Sequence, residues 1–293
     1  MNKLTLSKET KITLKLIKRD KLAMLSLLII TFFIIVSIFA PFIVPYPSQG
    51  EGLPVPEKRF LPPSFENPFG TDYLGRDVLS RVIFGARISL FVGIFVVCVA
   101  IIIGVPLGLI AGYFGGKVDD VLMRITDVFL SFPSLLFAIA LVATLGPGLF
   151  NAMISLSITW WPWYARLARA QAVTIKEQPY ILASQVIGVK GLTIVFRHLL
   201  PNALTPIIVQ GTMDMSSAIL AEAGLSFIGL GAQAPSPEWG LMVSTGRIYL
   251  LNYWWFPVFP GLAIFLVALA FNLFGDSLRD VLDPKSRKAG GQM

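Results

Sequence analysis

Long runs of apolar residues limit what this chain can fold into. Each run is about 20 residues or longer, the length that a helix needs to cross the hydrocarbon core of a bilayer. Of the 293 residues, 55% are hydrophobic and 14% are charged, whereas a soluble domain carries about 25% charged residues. The sequence therefore predicts an all-α polytopic membrane protein with six transmembrane helices, at residues 22–44, 88–112, 121–145, 149–168, 202–224 and 257–277.

The two ends of the chain are polar and basic. Residues 1–21 form a predicted cytoplasmic tail. Its run at 11–19 either lies on the inner leaflet as a basic amphipathic helix or serves only to orient the chain. Residues 281–293 form a second predicted cytoplasmic tail. The run at 22–44 is too long for the core of a signal peptide, so it is predicted to remain as the first span.

A proline-rich stretch follows the first span. Residues 45–70 contain seven prolines, and a segment so rich in proline cannot form a helix interior and favours turns or extended chain. We predict that residues 45–87 form an extracytoplasmic segment. A helical run is expected to begin at Asp77, and its charged residues can pair with each other or with lipid headgroups.

The distribution of basic residues predicts the orientation of the chain. Most of the 24 Lys and Arg residues fall in the N-terminal tail, in the loop between the fourth and fifth spans, and near the C-terminus. Basic residues collect on the cytoplasmic side of membrane proteins. We therefore predict a multi-pass protein of the cytoplasmic (inner) membrane with both termini inside. The net charge of +7 then reflects contact with membrane lipids, and no nucleic-acid partner is predicted.

The residues needed for catalysis or metal binding are scarce. The chain has no Gly-x-x-x-x-Gly-Lys-Ser/Thr loop for phosphates, no His-Glu-x-x-His and no Gly-x-Ser-x-Gly. His198 is its single histidine and Cys98 its single cysteine. We predict that the chain is not an enzyme and binds no metal or cofactor itself, so any ATP that drives it must bind to another chain.

Two patterns inside the predicted spans indicate helix contacts. Gly104, Gly108 and Gly112 recur every four residues and so share one helix face, which favours close helix packing, with a pore-lining stripe as the alternative. Arg124 and Asp127 are three residues apart and can form an ion pair on one face of the third span.

Four further residues are candidates for a translocation pathway. Trp160 and Trp163 belong either to an interfacial aromatic belt or to the lining of a central cavity. Asp214 and Glu222 lie in or near the fifth span, and carboxylates in spans are costly unless they face a cavity or a partner.

A polar island separates the fourth and fifth spans, within residues 170–200. Residues 180–187 suit a short amphipathic helix, Gly188 is a plausible C-terminal stop, and a second amphipathic run covers 192–200. Two short helices joined by a glycine and fixed to two spans can pass a push from a soluble partner into the bilayer.

Three stretches of this chain, at 69–90, 222–240 and 271–285, resemble the permeases of the dipeptide/oligopeptide/nickel branch of binding-protein-dependent ABC importers, in particular their C-type subunit. The first stretch reads FGTDYLGRDVLSRVIFGARISL and the second EAGLSFIGLGAQAPSPEWG. The resemblance implies a MetI-like permease fold, with residues 88–280 as a core of five transmembrane helices. It also implies an extracytoplasmic motif formed by Gly70, Asp72, Gly75, Arg76 and Asp77.

The polar island resembles the cytoplasmic loop through which such permeases contact their ATPases. Ala183, Gly188, Leu200 and Pro201 match the family pattern in type and spacing, whereas Leu182 stands where the family has Glu. Ser184 and His198 also differ from the pattern. The residues that the resemblance assigns to ATPase coupling are Tyr180, Ala183, Ser184, Gly188, Arg197, Leu200 and Pro201.

The resemblance also implies partners and cargo. A second, homologous permease would complete a heterodimer, one or two ABC ATPase subunits would carry ATP and Mg, and an extracytoplasmic binding protein would deliver substrate. The chain would then form half of a pathway for di- or oligopeptides. Nickel or an oligosaccharide is the alternative cargo, and an ion-coupled secondary transporter using Asp214 and Glu222 is the alternative mechanism.

Overall fold

The computed structural model describes residues 16–282, and this part of the chain is all-helical, without a β-strand. Only an isolated antiparallel bridge joins Thr71 to Asp77. Most of the basic tail predicted for residues 1–21 and of the tail predicted for 281–293 lies outside the described residues. The helices are α1 (Lys21–Ile43), α2 (Pro47–Glu51), α3 (Val78–Phe114), α4 (Gly116–Leu130), α5 (Ser134–Leu145), α6 (Leu149–Lys176), α7 (Pro179–Val186), α8 (Gly191–Ile194), α9 (Leu200–Phe227), α10 (Trp239–Gly246) and α11 (Trp255–Leu282).

Four helical stretches in the described residues are long and apolar enough to cross a membrane. They are α1, α3, the stretch Gly191–Phe227 that contains α9, and α11. A fifth span arises if α4 and α5 are counted together, although they are bent by 84° at a short break. The predicted third span at 121–145 is therefore two helices rather than one, and Pro133 lies at the N-cap of the second. Length and hydropathy support four or five spans, not the full six.

The second span begins earlier than its apolar run. Helix α3 starts at Val78 rather than at residue 88, so the end of the predicted extracytoplasmic segment is already helical. The Asp77 carboxylate explains this start, because it accepts a hydrogen bond from the Ser80 backbone amide at 2.7 Å. Such N-caps satisfy amides that have no partner within the helix.

The contact between α3 and α6 is the closest helix packing in the spans. A Cβ added at Gly104 would collide with the carbonyl oxygen of Trp161, and one at Gly108 with that of Ala165. At Gly112 the added atom would lie 2.7 Å from the Cβ of Ala172. The glycine face therefore serves helix packing, as the small-residue pattern predicts, and does not line a pore.

Two ion pairs join α4 to α6. Arg169 holds Asp119 through two bonds, Nε to Oδ1 at 2.6 Å and Nη2 to Oδ2 at 2.5 Å. Arg166 Nη2 lies 2.6 Å from Asp127 Oδ1. The expected ion pair between Arg124 and Asp127 is wrong, because the arginine of the neighbouring helix takes that carboxylate.

We predict that Gly108→Ala destabilises the protein while Gly224→Ala does not. The new methyl at position 108 meets a backbone oxygen of α6, which cannot move aside, and overpacking of this kind costs about 1–3 kcal/mol. Gly224 lies in α9 with no atom within 4 Å of an added Cβ. Thermal unfolding of the detergent-purified protein measures both, and equal unfolding midpoints would contradict the α3–α6 contact.

Candidate functional site

Helices α6 and α9 form the walls of an open cavity of about 680 Å³. Pockets for small molecules have volumes of about 300–1,000 Å³, so the space suits a small solute. Of the nine described residues that line the cavity, five are polar or charged, three are aromatic and one is leucine. The lining consists of Ser134, Trp160, Trp163, Tyr164, Arg166, Leu167, Gln210, Asp214 and Ser217.

The carboxylate of Asp214 is fixed at the wall of this cavity by two donors. The Tyr164 hydroxyl donates to Oδ2 at 2.6 Å, and the Gln210 side-chain amide donates to Oδ1 at 2.9 Å. Gln210 precedes Asp214 by one helical turn, so both side chains lie on one face of α9. Among the described residues, no Lys or Arg nitrogen lies within 4.0 Å of this carboxylate. Asp214 is thus hydrogen-bonded but has no counter-charge there.

Three of the four candidate pathway residues meet at this cavity. Trp160, Trp163 and Asp214 all line it, so these two tryptophans lie in the cavity lining, the second of the two interpretations of the aromatic cluster. Glu222 does not take part, because it is 1% exposed and accepts a hydrogen bond from Ser226 Oγ at 2.7 Å. Its carboxylate belongs to the packing between α9 and the segment that follows.

Sequence reasoning does not single out Tyr164 or Gln210. The spacing of four residues between Gln210 and Asp214 was the one feature of the sequence that could have predicted the hydrogen bond from the Gln210 side-chain amide. Nothing local predicts the Tyr164 contact, because its partner lies fifty positions away on another helix.

The motif predicted to be extracytoplasmic is a buried polar cluster. Asp72 is fully buried and accepts a hydrogen bond from Arg76 Nε at 2.7 Å, with Arg81 Nε at 3.7 Å. Asp77 accepts from the Asn67 side-chain amide at 2.9 Å, and its own backbone amide donates to Gln49 Oε1 at 2.9 Å. These carboxylates therefore stabilise the fold of the segment and do not bind headgroups.

Two glycines of this motif are required by their backbone. Gly70 has φ +69° and lies against the indole of Trp255, and Gly75 has φ +78° beside the carbonyl of Val55. Residues with a Cβ rarely adopt this left-handed conformation, whereas glycine does so freely.

The polar cluster connects distant parts of the chain. Arg81 donates to the carbonyl oxygens of Pro235 and Ser236, the latter at 3.0 Å. The indole N–H of Trp239 donates to the carbonyl of Val82 at 2.8 Å, and that of Trp255 to the carbonyl of Thr71 at 3.1 Å. The stretches 69–90 and 222–240 thus form one unit, which we call the outer assembly.

The polar island forms two short helices with an exposed apolar tip. Helix α7 ends at Val186, and Gly188 follows with φ +81°. Ile181 is buried, whereas Val186 is 86% exposed and Ile187 is 79% exposed. A π-helical turn, Val195–Leu199, then leads directly into α9.

The individual candidates of the island have local contacts. The Ser184 hydroxyl donates to the carbonyl of Tyr180 at 2.8 Å, and the carbonyl of Ala183 accepts from the amide of Ile187. Arg197 lies in the π-helical turn, and Leu200 and Pro201 begin α9. All seven candidates therefore lie within one continuous unit from α7 to the start of α9.

We predict that Asp72→Ala strongly destabilises the protein. The change leaves Arg76 and Arg81 buried without their shared carboxylate, and breaking a buried ion pair from one side costs about 3–5 kcal/mol. Glu66→Ala is the control, because Glu66 is 78% exposed in a 3.8 Å pair with Lys58 and such pairs contribute about 0–1 kcal/mol. Thermal unfolding and yield of membrane-inserted protein measure the difference. Similar losses in both variants would contradict this role of the cluster.

Comparison with known proteins places these features in a family. Residues 104–288 match the model of the binding-protein-dependent transport system inner membrane component, and residues 10–63 match the N-terminal TM domain of oligopeptide transport permease C. The dipeptide transport system permease protein DppC of Alkalihalophilus pseudofirmus is 48% identical, with 93% of this chain and 89% of that protein covered. The oligopeptide permease OppC of Bacillus subtilis is 43% identical, covering 92% of this chain and 88% of that protein.

A solved structure has the same fold. A chain of the inward-facing MetNI methionine ABC transporter superposes with a TM-score of 0.55 at 21% identity, covering 70% of this chain and 98% of that chain. This likeness shows that the helices adopt the MetI-like permease fold. Taken with the family match over most of its length, it identifies the chain as a member of the binding-protein-dependent transport system inner membrane components, a membrane permease rather than a catalytic subunit.

Proposed function

We propose that this chain is one of two permease subunits of an ATP-driven importer for di- or oligopeptides. The observation that carries the proposal is the 43–48% identity over nearly the whole chain to permeases named for dipeptide and oligopeptide transport. The chain forms half of the translocation pathway, and it converts motion of the ATPases into alternating access. The solute enters the cavity between α6 and α9.

The composition of the cavity supports a second, homologous permease. Trp163 is 59% exposed, and Gln210 and Ser217 are also exposed beside Asp214. A polar face with a carboxylate is unsuited to lipid, because ionisable groups in the membrane face a partner or a water-filled cavity. A partner permease that covers this face closes the pathway between the two subunits.

Helix α6 supplies the sixth span in this proposal. Its 28 residues extend over about 42 Å, more than the bilayer core requires. The Trp, Tyr and Arg residues that lower its hydropathy face the cavity or α4. With six spans, both termini and the island at 170–200 are cytoplasmic, in agreement with the distribution of Lys and Arg, and the proline-rich segment is extracytoplasmic at the inner membrane.

The ATPases dock on the apolar tip of α7. Val186 and Ile187 would be costly to expose on a cytoplasmic surface, and exposed apolar clusters mark contact sites. ATP and Mg bind to these partners. The binding protein meets the outer assembly and the proline-rich segment.

Helix α9 transmits the motion. It follows directly from the π-helical turn at the island, carries Gln210 and Asp214 at the cavity, and ends at Phe227 within the outer assembly. A push on α7 therefore reaches the cavity wall through the joint at Gly188, α8 and the continuous helix that follows. An ion-coupled transporter gains no such support, since Asp214 and Glu222 do not share one site.

The proposal is tested by purifying the tagged chain from its native membrane in a gentle detergent. We expect a related permease and an ATP-hydrolysing subunit to co-purify, with ATPase activity in the eluate. A chain that purifies alone, without ATPase but with ion-dependent uptake in vesicles, would overturn the proposal.

The double variant Val186→Asp, Ile187→Asp is expected to lose the ATPase from this preparation. Both side chains contact little within this chain, so charges there disturb docking rather than folding. Loss of a central contact reduces affinity by about thirtyfold or more. The control is Phe65→Asp, an exposed apolar side chain in the proline-rich segment. If the double variant co-purifies with the normal amount of ATPase, the ATPase does not dock on the tip of α7.

Gly188→Pro is expected to abolish peptide uptake while leaving membrane insertion intact. Proline fixes φ near −65°, whereas position 188 has φ +81°, so the joint after α7 must change shape. Gly188→Asn is the matched control, because asparagine tolerates the left-handed conformation, and it should keep most of its uptake. Uptake in proteoliposomes measures both, and normal uptake by the proline variant would contradict the role of this joint.

A further inference from the structure

The cavity contains a carboxylate whose charge is not balanced. A carboxylate offers about four lone-pair positions, and Tyr164 and Gln210 use one on each oxygen of Asp214. Both groups donate hydrogen bonds, and neither supplies a counter-charge. The Asp214 carboxylate, which lines the cavity, can therefore accept further hydrogen bonds.

The cationic side chain in the cavity lining, Arg166, already forms an ion pair with another carboxylate. Arg166 lines the same cavity, but its Nη2 lies 2.6 Å from Asp127 on α4. A charge held within the depth of a membrane without a counter-ion is expensive. A cationic group that enters the cavity would remove this cost, so the wall has a built-in preference for positive charge.

The aromatic side chains of the lining add to this preference. Trp160 and Trp163 border the same space as Asp214, and indole rings attract ammonium groups through their π faces. An anionic or uncharged solute gains neither the attraction between opposite charges nor the cation–π interaction. Carboxylate and aromatic rings together form a site suited to an organic ammonium group.

We propose that Asp214, oriented by Tyr164 and Gln210, binds the protonated amino terminus of the peptide in transit, between Trp160 and Trp163. The inference rests on the proposed function and adds to it a recognition step within the permease. Selection for a free amino terminus then takes place within the membrane. Tyr164 and Gln210 are positioning residues for the carboxylate.

The test uses the purified complex of permeases and ATPases without the binding protein. Tryptophan fluorescence is titrated with dialanine and, separately, with N-acetyl-dialanine, in which an acetyl group caps the amine and removes its positive charge. The wild-type complex should respond saturably to dialanine. Because a hydrogen bond to a charged group changes affinity by about tenfold to a hundredfold, the acetylated peptide should bind weaker by that factor.

Three variants assign the preference to the carboxylate. Asp214→Asn should bind both peptides equally weakly, and Asp214→Glu should recover part of the preference. Glu66→Gln removes an exposed charge of the proline-rich segment and should leave the preference unchanged. The comparison of the two peptides in the wild type needs no variant. It therefore remains informative even if one of the three variants fails to assemble.

Several results would overturn the inference while leaving the proposed function standing. These are equal binding of the two peptides by the wild type, a preference that survives in Asp214→Asn, or an equal response to sodium chloride alone, which would make the site one for inorganic cations. The ATPase activity that the binding protein stimulates reports on the proposed function separately. Its absence from the wild-type complex would instead contradict that function.

Discussion

The packing of α3 on α6 is the contact on which the rest of this structure depends. In a bilayer the lipid is as apolar as a leucine side chain, so helices associate through close packing rather than through a hydrophobic driving force. Gly104, Gly108 and Gly112 bring the α3 backbone against the α6 backbone. This fixes the rotation of α6 about its axis, and with it the direction in which Trp160, Trp163 and Tyr164 face.

The outer assembly and the island lie at the two ends of helix α9. At one end Arg81 and Trp239 join the start of α3 to the segment after α9. At the other end α7 connects to α9 through Gly188, α8 and the π-helical turn. Helix α9 therefore runs between the island and the outer assembly, with Asp214 between its two ends.

Local physics explains the predictions that were confirmed from the sequence. The α-helical class and the membrane location follow from apolar length alone. The start of α3 at Asp77 and the turn at Gly188 follow from capping and backbone freedom, which act within a few residues. Helix α6 falls short of the hydropathy of a span, because several of its Trp, Tyr and Arg side chains face the cavity or α4.

The sequence by itself determined that the chain is a helical membrane permease, which of its residues bend or cap the helices, and which carboxylates are costly. Only the tertiary structure decided that Asp214 faces a cavity while Glu222 is buried in packing, and that Asp127 pairs with Arg166 instead of Arg124. The physical reason is the range of the interactions. Caps and turns form between neighbours in sequence, whereas the partner of a buried charge is set by which helix face packs against it.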